Sequence, residues 1–324
     1  MQRERAALLF PGQGAYRVGM AQDFYEQSEV ARRIFDTTTC DFGDDFTPKE
    51  LCFQGPAEVL RNTRYTQVCI FLASMAIAET ARQRGLQVDA VAGVSLGEYS
   101  ALCYAESFSV QEGVDMLKER GRIMAETIPR DTTMLVVLGL TAEELRACCQ
   151  HVTTEDDPCE IGLYVTPQHT VLTGTTTAIE RARAYCQDSD KRVRMIPAKT
   201  SGAFHSRLAR PAVNALTEVL RNHPIKQPNI PVYYNVDGAT RDDVVADFAE
   251  MEATQLYTSV QFVKTIESMY SDGIRRYVAV GPGPTMAGAV RDIARSRHYD
   301  DITIQKVSTY EDLDHLVINE GGQV

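Results

Sequence analysis

The sequence predicts an α/β fold with a parallel sheet and an inserted ferredoxin-like small domain, on three observations. Short apolar runs that end in glycine-rich turns alternate with long helical stretches, residues 131–199 read as a βαββαβ set, and helix and strand patterns resume after 200. The expected division is a large domain from 1–130 and 200–324 and a small domain at 131–199, a size that suits one large core with a smaller one attached.

Taken in order, AALLF at 6–10 is a buried strand broken by PGQG, and VDAVAGVS at 88–95 is a second one ending in glycine and serine. Between them TQVCIFLASMAIAETARQRG (66–85) is a buried helix whose Arg-Gly ending suits a glycine cap. In the small domain MLVVLGL is a strand, and TAEELRACCQ is a helix with Thr141 and Glu144 spaced as a capping box. EIGLYV and HTVLTG follow as strands, TTAIERARAYCQ as a helix and KRVRMIP as the last strand. The main domain returns with LARPAVNALTEVLRN as a helix, and strands near 231–235 and at 275–283 complete its sheet.

Composition narrows the function. The chain is 44% hydrophobic and 24% charged, the proportions of a globular protein rather than a disordered or fibrous one. A net charge of −11 disfavours generic attraction to nucleic acid or to an anionic membrane. The sequence has no apolar run of membrane-spanning length and no signal-peptide pattern at its start, so a cytoplasmic location is expected. The eight cysteines have no CxxC spacing and lie in apolar stretches, which predicts reduced core thiols rather than disulfides or a metal site.

Gly93-Val94-Ser95-Leu96-Gly97 fits G-x-S-x-G between a predicted strand and a predicted helix. A strand that turns sharply into a helix needs small residues on both sides of the serine. It also aims the helix N-terminus at that serine, so that the Leu96 N–H and the helix dipole can stabilise an oxyanion. A serine nucleophile needs a base. Of the six histidines, His205 lies in TSGAFHSRL, where small residues and an aromatic lead into a helix; by itself that context suits a helix-capping histidine equally well.

FPGQG (10–14), GVSLGEYSAL (93–102), KERGRIM (118–124), SGAFHS (201–206), SVQF (259–262) and VGPG (280–283) together resemble the malonyl-CoA:acyl carrier protein transacylase family, which includes the acyltransferases of fatty acid and polyketide synthesis. The resemblance runs in order across nearly the whole chain. It implies a hydrolase-like α/β domain carrying a ferredoxin-like subdomain, with Ser95 as nucleophile and His205 as its base and later acid. It further implies an oxyanion hole from the Gln13 and Leu96 N–H groups, and a main-chain carbonyl of Gln261 that orients His205. Arg120 matches the arginine that grips the free carboxylate of malonyl, and Phe204 matches the bulky residue that leaves little room for an α-methyl branch. The implied substrates are a CoA thioester and the phosphopantetheine thiol of an acyl carrier protein, with no permanently bound cofactor and no metal.

The sequence departs from the family pattern at three places. Val94 stands where a histidine is usual, Tyr16 where a glutamine is common, and LYVTPQHTVLTG lacks the usual asparagines. Transfer of a non-malonyl acyl group between carrier proteins, or hydrolysis of acyl thioesters, therefore stands as an alternative on the same Ser95 and His205. A last feature is the run Lys191, Arg192, Arg194, Lys199, Arg207 and Arg210. It has no acidic residue within 191–210, which predicts a basic rim able to steer an acidic carrier protein.

Overall fold

The structure is a computed structural model that describes residues 3–188, 191–198, 202–283 and 285–317 of the 324. Among the described residues nine strands fall in chain order: β1 Ala6–Phe10, β2 Ala90–Gly93, β3 Thr132–Leu138, β4 Cys159–Thr166, β5 His169–Thr175, β6 Arg194–Pro197, β7 Val232–Tyr233, β8 Arg276–Val280 and β9 Thr303–Val307. They form a five-stranded parallel sheet in the order β7-β2-β1-β8-β9 and a four-stranded antiparallel sheet in the order β4-β5-β3-β6. The second order is that of the ferredoxin-like arrangement, with the two middle strands of its βαββαβ sequence paired on one side of the first.

β1, β2 and β8 are buried along their whole length, as strands covered on both faces must be, and apart from Arg276 at the start of β8 they read as apolar runs. The 21-residue helix Thr63–Gln83 packs beside the helix Val110–Thr127, and its 16 buried residues explain why its sequence is apolar beyond one face. Thr141 and Glu144 form the expected capping box.

Two readings need correction. The stretch 208–222 is not one helix: Pro211, which lacks an N–H, lies in a 3₁₀ turn at Arg207–Ala212, and the α-helix runs only over Val213–Arg221. The main sheet also does not end with the strand at 276–280, because β9 adds a parallel edge strand beside it. Its residues, TIQKV, mix exposed and half-buried positions and end on the buried Val307, so no continuous apolar run announces it.

The two sheets meet near the C-terminal ends of the parallel strands. Val260 donates its N–H to Gly162 O at 2.8 Å and accepts from Tyr164 N at 2.9 Å, so the edge of β4 is continued by the segment that precedes Gln261. Ser259 Oγ bonds Ile161 O at 2.6 Å, and Thr173 Oγ1 on β5 bonds Phe204 O at 2.8 Å. Residues 202–206 and 255–262 are thereby held against the small sheet.

The helix Leu96–Tyr104 leaves β2 so abruptly that a Cβ on Gly93 would fall 2.0 Å from the Gly97 carbonyl. A Cβ on Gly97 would fall 2.7 Å from both Phe10 O and Pro11 O, which are backbone atoms at the end of β1 and cannot swing aside. Gly97→Ala should therefore destabilise the protein by about 1–3 kcal/mol, the usual cost of overpacking a filled site. The measurement is a urea transition whose midpoint falls while its slope is unchanged; a wild-type midpoint would show that β1 and this helix can separate.

Candidate active site

Ser95 sits at the turn with φ 54° and ψ −111°, a region that a residue with a side chain rarely occupies. Something must hold it there. Asn235, just after β7, does so from both sides of the turn: its Oδ1 accepts from Ser95 N at 2.8 Å and its Nδ2 donates to Gly93 O at 2.7 Å. Asn235 is in turn fixed by Glu98, whose Oε2 accepts from the Asn235 main-chain N at 2.6 Å and from its Nδ2. Glu98 lies on the first turn of the helix that Ser95 opens, so the network closes on itself.

His205 also has a positive φ, 59°, and is buried, with its N–H donated to Leu256 O at 2.8 Å. Its Nε2 lies 2.9 Å from Ser95 Oγ and its Nδ1 lies 2.8 Å from the main-chain O of Gln255. A carbonyl can only accept, so Nδ1 carries the proton and Nε2 offers its lone pair to the serine. Burial pushes the imidazole down to about 4; the Gln255 carbonyl works against that shift and the Arg120 charge adds to it. At neutral pH the ring is uncharged and able to take the Ser95 proton.

The orienting carbonyl is therefore not that of Gln261. Gln261 starts the helix Phe262–Ser271, its carbonyl accepts from Thr265 N at 2.9 Å, and its N–H goes to Asn235 O at 2.8 Å. Gln255 ends the preceding helix, Val244–Gln255, where its carbonyl has no partner in the next helical turn and is left for the histidine. Both glutamines lie in one short stretch, QLYTSVQ, and only the fold separates their roles.

Arg120 is fully buried on the helix Val110–Thr127 and reaches the same serine: Nη2 is 3.2 Å from Ser95 Oγ and 3.0 Å from Gln255 Oε1, and Nη1 is 2.6 Å from Gln67 Oε1. Its guanidinium also lies over the Tyr99 ring at 5.5 Å. Among the described residues all its hydrogen-bond partners are neutral, and Nε has none. A buried arginine with no carboxylate in contact can receive one.

Leu96 N–H opens its helix and Gln13 N–H opens the 3₁₀ turn Gln13–Ala15, so neither has an acceptor within its own helix. The two segments adjoin, since Val94 N–H bonds Phe10 O at 3.1 Å and the Val94 side chain packs over Gly12. The Gln13 side chain bonds Thr63 Oγ1 at 2.9 Å. Phe204 is buried next to His205, with Gly202 beside its ring.

The basic run is less uniform than its sequence. Lys191 pairs with Glu144 at 2.5 Å and Arg207 pairs with Glu160 at 3.1 Å, both acids lying outside 191–210. The Arg210 guanidinium stacks 5.0 Å from the Tyr257 ring, while Arg192 and Arg194 are exposed at and before the edge strand β6. Lys199 lies outside the described residues. Seven of the eight cysteines are buried and all are free. Among the described residues no group of three or more His, Cys, Asp or Glu is placed to hold a metal, and no helix is long and apolar enough to cross a membrane.

Gln255, Asn235, Glu98 and Gln67 are the site residues that sequence reading missed. Glu98 stands inside the GVSLGEYSAL motif and could have been found as an acid on a helix whose other residues are apolar or small; the others carry no local signal.

Residues 7–315 match the family model described as acyl transferase domain. The chain is 34% identical over 292 residues to malonyl CoA-acyl carrier protein transacylase of Bacillus subtilis strain 168, covering 90% of this chain and 91% of that one. The solved malonyl CoA-acyl carrier protein transacylase of Clostridium perfringens superposes with a TM-score of 0.87 at 29% identity, covering 96% and 95% of the two chains. A malonyl-transacylase solved in complex with its type II PKS acyl-carrier protein also gives 0.87, at 28% identity and with 96% and 98% coverage.

The buried imidazole sets a pH dependence. Its proton is lost at about 4 in the folded chain, against about 6.5 for an unperturbed histidine, so the ring stays able to accept a proton well below neutrality. The rate at which an activated ester modifies Ser95 should stay on its plateau down to about pH 5 and halve near 4. A profile that halves near 6.5 would mean that the ring is solvated in the working enzyme.

Proposed function

The chain belongs to the malonyl CoA-acyl carrier protein transacylase family of acyl transferase domain proteins, and on that premise we propose that Ser95 carries malonyl from coenzyme A to the phosphopantetheine thiol of an acyl carrier protein in the cytoplasm. The observation that supports this most is the shared hydroxyl: Ser95 Oγ lies within hydrogen-bond reach of both a neutral His205 and the fork of Arg120.

In the first half-reaction His205 Nε2 takes the serine proton as Oγ attacks the thioester carbonyl, and the Leu96 and Gln13 N–H groups receive the oxyanion. When the tetrahedral intermediate collapses, the C–S bond breaks and His205 returns its proton to the departing thiolate. In the second half-reaction the carrier thiol gives its proton to His205, its sulfur attacks the acyl-serine, and the C–O bond breaks as His205 returns that proton to Ser95 Oγ. The Gln255 carbonyl keeps the imidazole in one tautomer throughout, although it stabilises imidazolium less than a carboxylate does.

Arg120 would turn from Ser95 Oγ to the malonyl carboxylate, and its neutral hydrogen-bond partners favour that exchange. Phe204 would narrow the space beside the acyl α-carbon. Arg192, Arg194 and Arg210, exposed and basic, are the stronger candidates for steering the carrier protein, because Lys191 and Arg207 already face carboxylates.

Three measurements test this reading. Intact-protein mass spectrometry after exposure to malonyl-CoA should find one malonyl ester on the wild type and none on Ser95→Ala; an adduct that survives in Ser95→Ala rules out Ser95 as the carrier. Arg120→Ala should lose about 2–5 kcal/mol in kcat/KM for malonyl, the cost of leaving a buried charge without its partner, while acetyl transfer is undiminished. If the wild type prefers acetyl or a longer neutral donor, the reading passes to transfer of another acyl group between carriers, or to hydrolysis. Arg192→Glu should raise the KM for the carrier protein and flatten its salt dependence without touching acylation by malonyl-CoA; unchanged carrier kinetics would mean that this edge is merely solvated.

A further inference from the structure

Behind Ser95 lie two carboxyl groups that the transfer chemistry does not use. Glu98 and Glu252 are both wholly buried, on the helices Leu96–Tyr104 and Val244–Gln255, and they share one amide: Gln255 Nε2 is 3.0 Å from Glu98 Oε1 and 3.4 Å from Glu252 Oε2. Two carboxylates this close inside a protein cannot both be ionised. The donors decide which keeps the charge. Glu98 accepts from Gln255 on one oxygen and from Asn235 on the other, whereas Glu252 Oε1 has no hydrogen-bond partner among the described residues and is free to carry a proton.

The other charged or titratable groups facing this pair are Arg120 from the helix Val110–Thr127, Tyr99 beside Glu98, and Tyr234 from the turn after β7 with Arg241 over its ring; His205 lies beyond Arg120. Burial pushes both tyrosine hydroxyls up, so both remain neutral. Arg120 and the pair therefore balance one another, but Gln255 stands between them, giving its oxygen to Arg120 and its N–H groups to the carboxyls. Burial raises both carboxyls above the usual range, and Glu252 the further of the two.

Resting on the reading of Arg120 given above, we propose that Glu98 and Glu252 share a single proton as the counter-charge of Arg120, and that a carboxylate seated on Arg120 draws a second proton onto the pair. In the empty enzyme one positive and one negative charge cancel. A malonyl carboxylate adds a second negative charge to the same buried space, and protonating Glu98 from solvent restores neutrality. Acyl transfer to the serine is itself proton-neutral, because the serine proton leaves on the thiol; with His205 held down at about 4 and so neutral in the range tested, a proton taken up goes to the pair. Acetyl adds no charge and draws none. The arrangement makes Glu98 and Glu252 positioning and specificity residues that act through Arg120.

The test counts protons. Acylation of the full chain is followed in weak buffer with an indicator dye, and the acyl-enzyme formed is quantified by mass spectrometry. Between pH 6 and 7.5 malonyl-CoA should cause uptake approaching one proton per acyl-enzyme, and acetyl-CoA none. Equal uptake with the two donors would overturn the proposal. A second arm needs no substrate: ¹³C NMR of protein labelled at the glutamate carboxyls should show one buried carboxyl protonated at neutral pH in the free enzyme. In Arg120→Gln the second should become protonated there too, because its counter-charge is gone. Two ionised carboxyls in the wild type, or no change in Arg120→Gln, would also overturn it. Failure of malonyl-CoA to esterify Ser95 would instead count against the proposed donor, and the NMR arm would still decide the pair.

Discussion

Ser95 is held in a backbone conformation that it would not adopt alone, and the site is organised around the hydrogen bonds that keep it there. Asn235 grips the turn through Gly93 O and Ser95 N, Glu98 grips Asn235, and Gly93 and Gly97 let the helix lie against β2 and the end of β1. A strained residue of this kind persists only where its surroundings over-determine it. Here those surroundings come from segments about 140 residues apart in the chain, so the Ser95 turn is held only once β7 has paired with β2.

Gln255 joins the remaining parts. Its main-chain carbonyl sets the tautomer of His205, while its side chain holds Arg120 on one end and the Glu98 and Glu252 carboxyls on the other. A helix C-terminus suits this work because its last carbonyls point away from the helix unpaired. The cost is a large buried polar cluster, and the unpartnered Arg120 Nε and Glu252 Oε1 show that its free structure is not fully satisfied. A site that must later admit an anion gains from leaving such groups unpaired.

The small antiparallel sheet serves the same geometry from the other side. Its β4 edge is continued by Val260, and its β5 holds the Phe204 carbonyl, so both segments that carry His205 and its orienting carbonyl are braced against it. Motion of that sheet relative to the parallel one would alter the Ser95 to His205 distance directly.

Much was legible in the sequence because it depends on local chemistry. The two buried strands, the glycine-flanked serine turn and the Thr141 capping box are each written in a few consecutive residues, and the βαββαβ order follows from their succession. The family motifs marked Ser95, His205 and Arg120, which the fold brings within 3.2 Å of one hydroxyl. What sequence could not decide was which polar atoms face each other across the chain. Gln261 and Gln255 are both glutamines beside apolar residues, and only the point where one helix stops frees the Gln255 carbonyl for His205. Glu144 and Glu160 lie outside the basic run that they partly neutralise, and β9 shows no apolar run because it lies at a sheet edge. Local pattern determined the elements and the chemical types available, whereas partners, tautomer and charge balance were left to tertiary structure, because a hydrogen bond depends on distance and direction that sequence separation does not encode.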